Sequence, residues 1–196
     1  MKNLSTYISI PLIITSFAFV NNLNAATYPY VGLSIGQATI EDACESSGIT
    51  VVSCEDSDAS FKVYGGAKTH RNFAFEVAYI DMGESVITGN VDTLTIESAS
   101  LNSSIFGIIP ASYNVDIFAK VGLMYWQAKK FSSGTLNGTI ASSEGMDVTF
   151  GFGANFGVSR TFALRAEFEK FPRVGGVKTT GESGVTLITL GVALYF

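Results

Sequence analysis

Six charged side chains fall where alternation puts them opposite aromatic and aliphatic neighbours: Lys62, Glu76, Lys120, Arg165, Glu167 and Glu169. Phe61 and Val63 flank Lys62, Phe75 and Val77 flank Glu76, and Leu164, Ala166 and Phe168 separate Arg165, Glu167 and Glu169. In a strand, side chains alternate between faces, so each stretch has one apolar face and one carrying charge. Three cations and three anions confined together must pair, because a buried lone charge is too costly to keep. Such a set could act as a static plug that fills an interior. Nucleophilic chemistry has less to draw on. His70 is the single histidine, and it lies beside Arg71 in a short turn, away from any Ser or Asp arranged to use it as a base.

Two further groups invite a ligand reading. Glu41, Asp42, Glu45, Glu55, Asp56 and Asp58 cluster in one connection, but their spacing does not match an EF-hand loop, and charge blocks of this kind read as solvated faces. Cys44 and Cys54 flank the same connection. In an exported chain the even count suggests one disulfide closing a short loop; two unpaired thiols are the alternative. Two thiols with no nearby histidine fall short of a four-ligand zinc site, so no metal or cofactor is expected. Tyr125, Trp126 and Phe131 gather near one end of their stretch, where Tyr125 suits an interfacial aromatic girdle.

The elements that hold these residues are strands. Eight alternating segments are predicted: Tyr28–Ala38, Ser60–Thr69, Phe73–Met82, about Leu94–Ile109, Val115–Lys129, Asp147–Val158, Phe162–Phe171, and a last one closing at Phe196. In the last, Ile188, Leu190, Val192, Leu194 and Phe196 share the apolar face, while Leu187, Thr189, Gly191, Ala193 and Tyr195 share the other. Connections at 39–59, 83–93, 130–146 and 172–184 are expected to be long loops, and those at 70–72, 110–114 and 159–161 short turns. Long loops at one end and short turns at the other mark a bacterial outer-membrane barrel, with the turns and both termini on the periplasmic side. A soluble sandwich would bury the phenylalanines between two sheets; a membrane barrel turns them outward and the charges inward.

The ends and the composition agree with this reading. Met1-Lys2, an apolar stretch over Ile8–Val20 and the small residues before Ala25 read as a signal peptide cleaved after residue 25, too short to span as a helix. The remaining residues, 26–196, suit one domain. Lys and Arg number 12 against 17 Asp and Glu, which disfavours nucleic acid as a partner. The chain is 47% hydrophobic and only 15% charged, yet no later run is long enough for a helical span, so the apolar content is spread through strands.

The order of motifs then resembles a known family. Phe61-Lys62-Val63-Tyr64-Gly65-Gly66, followed by Asn72-Phe73-Ala74-Phe75-Glu76 and Tyr79-Ile80-Asp81-Met82-Gly83, is similar to the OmpA-type outer-membrane barrel, and the likeness runs through Val121-Gly122-Leu123 to Phe196. The terminal aromatic with apolar residues at alternate positions resembles the sorting strand of such barrels. The resemblance implies an all-β, eight-stranded antiparallel up-and-down transmembrane β-barrel without the periplasmic peptidoglycan-binding domain. It implies a non-enzymatic protein of the Gram-negative outer membrane, serving envelope integrity or surface interaction through long extracellular loops. A narrow passive channel for ions or small solutes, gated by interior salt bridges, is the alternative. The partners it implies are outer-membrane lipid and lipopolysaccharide, the barrel-assembly machinery, and a host or cell-surface ligand met by the loops. A monomer is expected, and the cysteine loop resembles a variant present in some family members.

Overall fold

The computed structural model describes residues 28–41, 51–55, 57–89, 93–133, 138–174 and 183–196. The expected signal peptide and Cys44 lie outside them. Cys54 is placed only by its backbone, paired with Ile87, so the disulfide also lies outside the described residues.

Nine strands follow in order: β1 (Tyr28–Ile40), β2 (Val51–Glu55), β3 (Ser57–His70), β4 (Phe73–Gly89), β5 (Thr93–Pro110), β6 (Val115–Ser133), β7 (Gly138–Gly157), β8 (Phe162–Val174) and β9 (Ser183–Tyr195). All pairings are antiparallel. Eight strands close in the order β4-β3-β1-β9-β8-β7-β6-β5, with β5 returning to β4; β2 adds to the outer end of β4. Closure is completed by β1 against β9, from Tyr30 opposite Tyr195 to Ile40 opposite Val185. Past the ladder, the Phe196 amide donates to the Pro29 carbonyl at 3.0 Å. The closed ladders pair the backbone strand to strand through the belt, where each unpaired group would cost several kcal/mol in hydrocarbon.

The alternation expected from the sequence sets the faces. Val31, Leu33, Ile35, Phe73, Phe75, Val121, Leu123, Ile188, Leu190 and Phe196 are exposed on the outside. Phe150 and Phe152 are 47% and 60% exposed, which rules out a sandwich that buries them. On β6 the outward apolar run from Ile117 to Tyr125 covers about 27 Å of strand at ~3.4 Å per residue, or roughly 20 Å of height at a ~40° tilt. That is close to the apolar band of an outer-membrane barrel. Beyond Tyr79, Tyr125 and Met146 the next residues of outward parity are polar: Asp81, Gln127 and Glu144.

The outer connections differ from expectation. Much of 83–93 and 130–146, read as loop, is strand: β4 runs to Gly89, β5 starts at Thr93, β6 runs to Ser133 and β7 starts at Gly138. The ladder continues there, Val86 opposite Thr95 and Lys130 opposite Ala141. Outside the bilayer a strand needs no apolar outer face, so the alternation that reveals it disappears. A bulge marks the change on β4, where the register shifts between Asp81 and Glu84 and Gly83 takes a φ of 73°. The wall is therefore uneven. Among the described residues β4 to β7 have 17, 18, 19 and 20 residues, and β1, β8 and β9 have 13 each; β3, with 14, is preceded along the same edge of β4 by β2.

Candidate functional site: the filled lumen

The six charged residues all point into the barrel and are at most 4% exposed. Lys62 on β3 reaches across the lumen to β8, 2.8 Å from Glu167 and 2.7 Å from Glu169, and stands 3.7 Å from Glu76 on β4. Lys120 on β6 pairs with Glu167 at 2.5 Å and with Glu169. Arg165 on β8 donates through Nη1 to Glu76 at 2.5 Å and through Nε to the Asn155 side-chain oxygen at 2.8 Å. Tyr30 donates its hydroxyl to the same Glu76 oxygen at 3.0 Å. Three positive and three negative groups thus close into one neutral layer, joined across strands far apart in sequence.

Aromatic rings enclose the guanidinium. The Arg165 carbon lies 4.4 Å from the Tyr64 ring centre, 5.3 Å from Phe118, 5.4 Å from Tyr30 and 5.6 Å from Phe106. Cation–π attraction strengthens where water is excluded, as it is here. The rings gain their space from Gly32 and Gly153, where an added Cβ would strike Tyr64 and Phe118 respectively. Sequence reasoning found the charges but not this cage. The signal was present: Tyr30, Tyr64, Phe106 and Phe118 have the inward parity of their strands.

Toward the outer end the lumen changes character. Ile80, Met82, Met124, Trp126, Phe171, Val185 and Leu187 point inward, are buried and belong to one apolar cluster. The inward face was expected to be the smaller and more polar one; instead these large apolar side chains stand above the charged layer, beside the buried Ser60, Ser100 and Thr149. Eight strands leave room only for side chains, and here both layers use it. The remaining predicted residues lie apart. Ile188, Leu190, Val192, Leu194 and Phe196 form the outward face of the closing seam, and His70 sits at the short-turn end, its Nδ1 accepting the Asn72 amide at 3.3 Å.

At the outer rim, polar contacts take over. Tyr125 donates to Glu144 at 2.5 Å. Lys170 pairs with Glu41, and Thr186 donates to the same carboxylate at 3.1 Å. The hydrogen bond from Lys170 holds the Glu41 carboxyl below the usual range. Glu97 behaves oppositely: partial burial, then the facing Glu84, raises it. Of the predicted acidic cluster, only Glu41 and Asp58 have described side chains. Asp58 accepts the backbone amides of Ala59 and Glu84, which uses it as a loop brace. No group of three or more metal-ligating side chains occurs among the described residues.

A closed antiparallel barrel, apolar outside and packed with side chains inside, defines an integral outer-membrane protein of the small, non-porin kind. The chain belongs to the OmpA-like transmembrane domain family, whose model matches residues 24–196. It is 25% identical over 138 residues to outer membrane protein A of Klebsiella pneumoniae, a match covering 68% of this chain and 40% of that protein. The chain thus spans less than half of that relative. In fold it is similar to Ail, the attachment invasion locus protein of Yersinia pestis, with a TM-score of 0.57, 12% identity, and 87% and 99% of the two chains covered. Neisserial surface protein A gives a TM-score of 0.56 at 14% identity, covering 87% and 97%. The protein resides in the Gram-negative outer membrane.

Proposed function

We infer that the protein is a non-enzymatic surface-interaction barrel whose contact surface is the tall outer wall built by β4 to β7. The carrying observation is the unequal strand length. Four adjacent strands continue past the apolar belt, with β2 added along β4, while the ladder between β7 and β8 begins only at Phe150 and Lys170. From Gly138 to Phe150, β7 rises about 40 Å along its own axis at ~3.3 Å per residue. Ordered sheet of that length is not needed to cross a membrane. It supports a rigid, polar display surface, the kind of scaffold on which recognition is usually carried. The partners in this reading are lipopolysaccharide around the rim and a host or cell-surface ligand at the wall.

The test is an in-register shortening of β6 and β7 that removes residues 130–141 and joins Lys129 to Ser142, which face each other in the ladder. Cells displaying the shortened barrel are compared with cells displaying the native one for adhesion to epithelial cells and matrix glycans. Loss of adhesion with the barrel still resistant to unfolding in cold SDS supports the reading. Native adhesion no greater than that of cells without the protein sinks it.

A second reading, a narrow channel whose interior pairs exchange, draws on Lys62. It pairs with Glu167 and Glu169 while standing 3.7 Å from Glu76, so a small shift could trade partners. The bulky side chains above the charges weigh against it, since Met124, Trp126, Phe171 and Leu187 are buried there and fill the bore that a hydrated ion would need.

A further inference from the structure

The short-turn end of the lumen opens into a cavity of about 400 Å³. Its wall includes Lys68, Arg71, Arg160 and Asp116, so its charge is mainly positive in a chain that is acidic overall. Lys68 is neutralised by Asp116 at 2.8 Å. Arg71 and Arg160 form no ion pair among the described residues.

The topology sets the two turns that carry these arginines on opposite sides of the mouth. Arg71 lies in the turn between β3 and β4, and Arg160 in the turn between β7 and β8. Around the closed ring, β1, β9 and the flanking strands separate the two turns on one side, and β5 and β6 on the other, so the turns are diametrically opposed. The two remaining quadrants of the mouth carry tyrosines: Tyr28 at the β1–β9 seam and Tyr113 in the turn between β5 and β6, both exposed. The mouth therefore alternates arginine, tyrosine, arginine, tyrosine. Opposed planar guanidiniums can each offer two N–H groups to one oxyanion, and the phenol rings flank whatever the anion is attached to. A concave site with one sign of charge also concentrates counter-ions.

We propose that this periplasmic mouth is a binding site for a phosphate group, clamped between Arg71 and Arg160 and supplied either by a soluble phosphate ester or by a phospholipid headgroup of the inner leaflet. The test uses the full mature chain refolded in neutral maltoside micelles, titrated with inorganic phosphate and with pyrophosphate. Binding is followed by calorimetry and by amide shifts of Gly157 and Thr161. Saturable one-to-one binding is expected, at least tenfold weaker in Arg71→Gln/Arg160→Gln and unchanged in Lys129→Gln/Lys130→Gln at the opposite rim. Retained resistance to cold SDS confirms that each variant is folded.

Nanodiscs of phosphatidylcholine with and without phosphatidylglycerol then assign the source. Weakened pyrophosphate binding in the anionic discs assigns the site to lipid headgroups, and unchanged binding assigns it to a soluble ester. Absence of saturation, or equal weakening by the Lys129 and Lys130 changes, overturns the proposal.

Discussion

Arg165 holds Glu76 at 2.5 Å from inside a cage of four aromatic rings, and the two residues come from strands on different sides of the lumen. Removing either partner leaves an uncompensated charge in a layer that is otherwise neutral. Glu76→Ala or Arg165→Ala is expected to cost about 3–5 kcal/mol, the usual penalty for half of a buried pair. The double change Glu76→Leu/Arg165→Met restores neutrality and fills the same space, so it should cost less than either single one. Urea unfolding of the barrel in lipid vesicles measures all three. Losses that simply add would show that the pair does not act as a unit.

Glu84 and Glu97 are direct cross-strand partners on the outer wall, with Lys129 opposite Glu97 on its other side. Like charges in that position destabilise a sheet by about 0.2–1 kcal/mol. Burial and Glu84 raise the Glu97 carboxyl. A raised acid favours the protonated folded state: its stabilising contribution is complete below the unfolded value and is lost as pH rises through the folded one. Glu97→Gln should therefore stabilise the protein at neutral pH by a few tenths of a kcal/mol, on the order of the pair term. The gain should vanish by about pH 3, below the ordinary glutamate range. A gain that persists in acid would place its origin elsewhere.

The barrel was legible where the bilayer imposes a rule. Val31, Leu33 and Ile35 must meet hydrocarbon, so β1 announces itself by alternation, and the same holds for Phe150 to Phe156 on β7. The rule stops at the membrane surface. Thr139 to Gly145 have no such duty, and their Ser, Thr and Gly content reads as loop although their ladder with β6 continues. The outer lumen was hidden for a different reason. Leu187 and Trp126 have the parity of the charged face, and an apolar residue there looks like an exception to a polar interior. Runs that are apolar on both faces, such as Leu123-Met124-Tyr125-Trp126, were the available sign of burial on two sides.

Gly36 lies at the closing seam, where an added side chain would fall on the backbone carbonyl of Ile188 in β9. Backbone cannot yield as a flexible side chain does, because the β1–β9 ladder fixes it. Gly36→Val is expected to hinder closure itself, reducing the fraction that refolds into vesicles to a compact band on cold SDS gels. Gly65→Ala makes the control, since a Cβ there meets nothing closer than ordinary contact distance. Equal refolding of the two variants would show that the seam tolerates the bulk.

The order of layers along the lumen decides what an ion would meet. From the short-turn end it first reaches the neutral network of Lys62, Lys120 and Arg165 with their three glutamates, and above that the buried Met124, Trp126, Phe171 and Leu187. Loosening the charged layer alone leaves the apolar one intact. Native protein, Glu76→Ala and Arg165→Ala are therefore all expected to give negligible single-channel current in planar bilayers. Thinning both layers, as in Glu76→Ala/Phe171→Ala, should produce brief conducting events. The contrast separates the two functional readings. Current from Glu76→Ala alone would mean that the apolar layer is no barrier and that the ion pairs are the gate. Silence in the single variants with events in the double one leaves the lumen as filling.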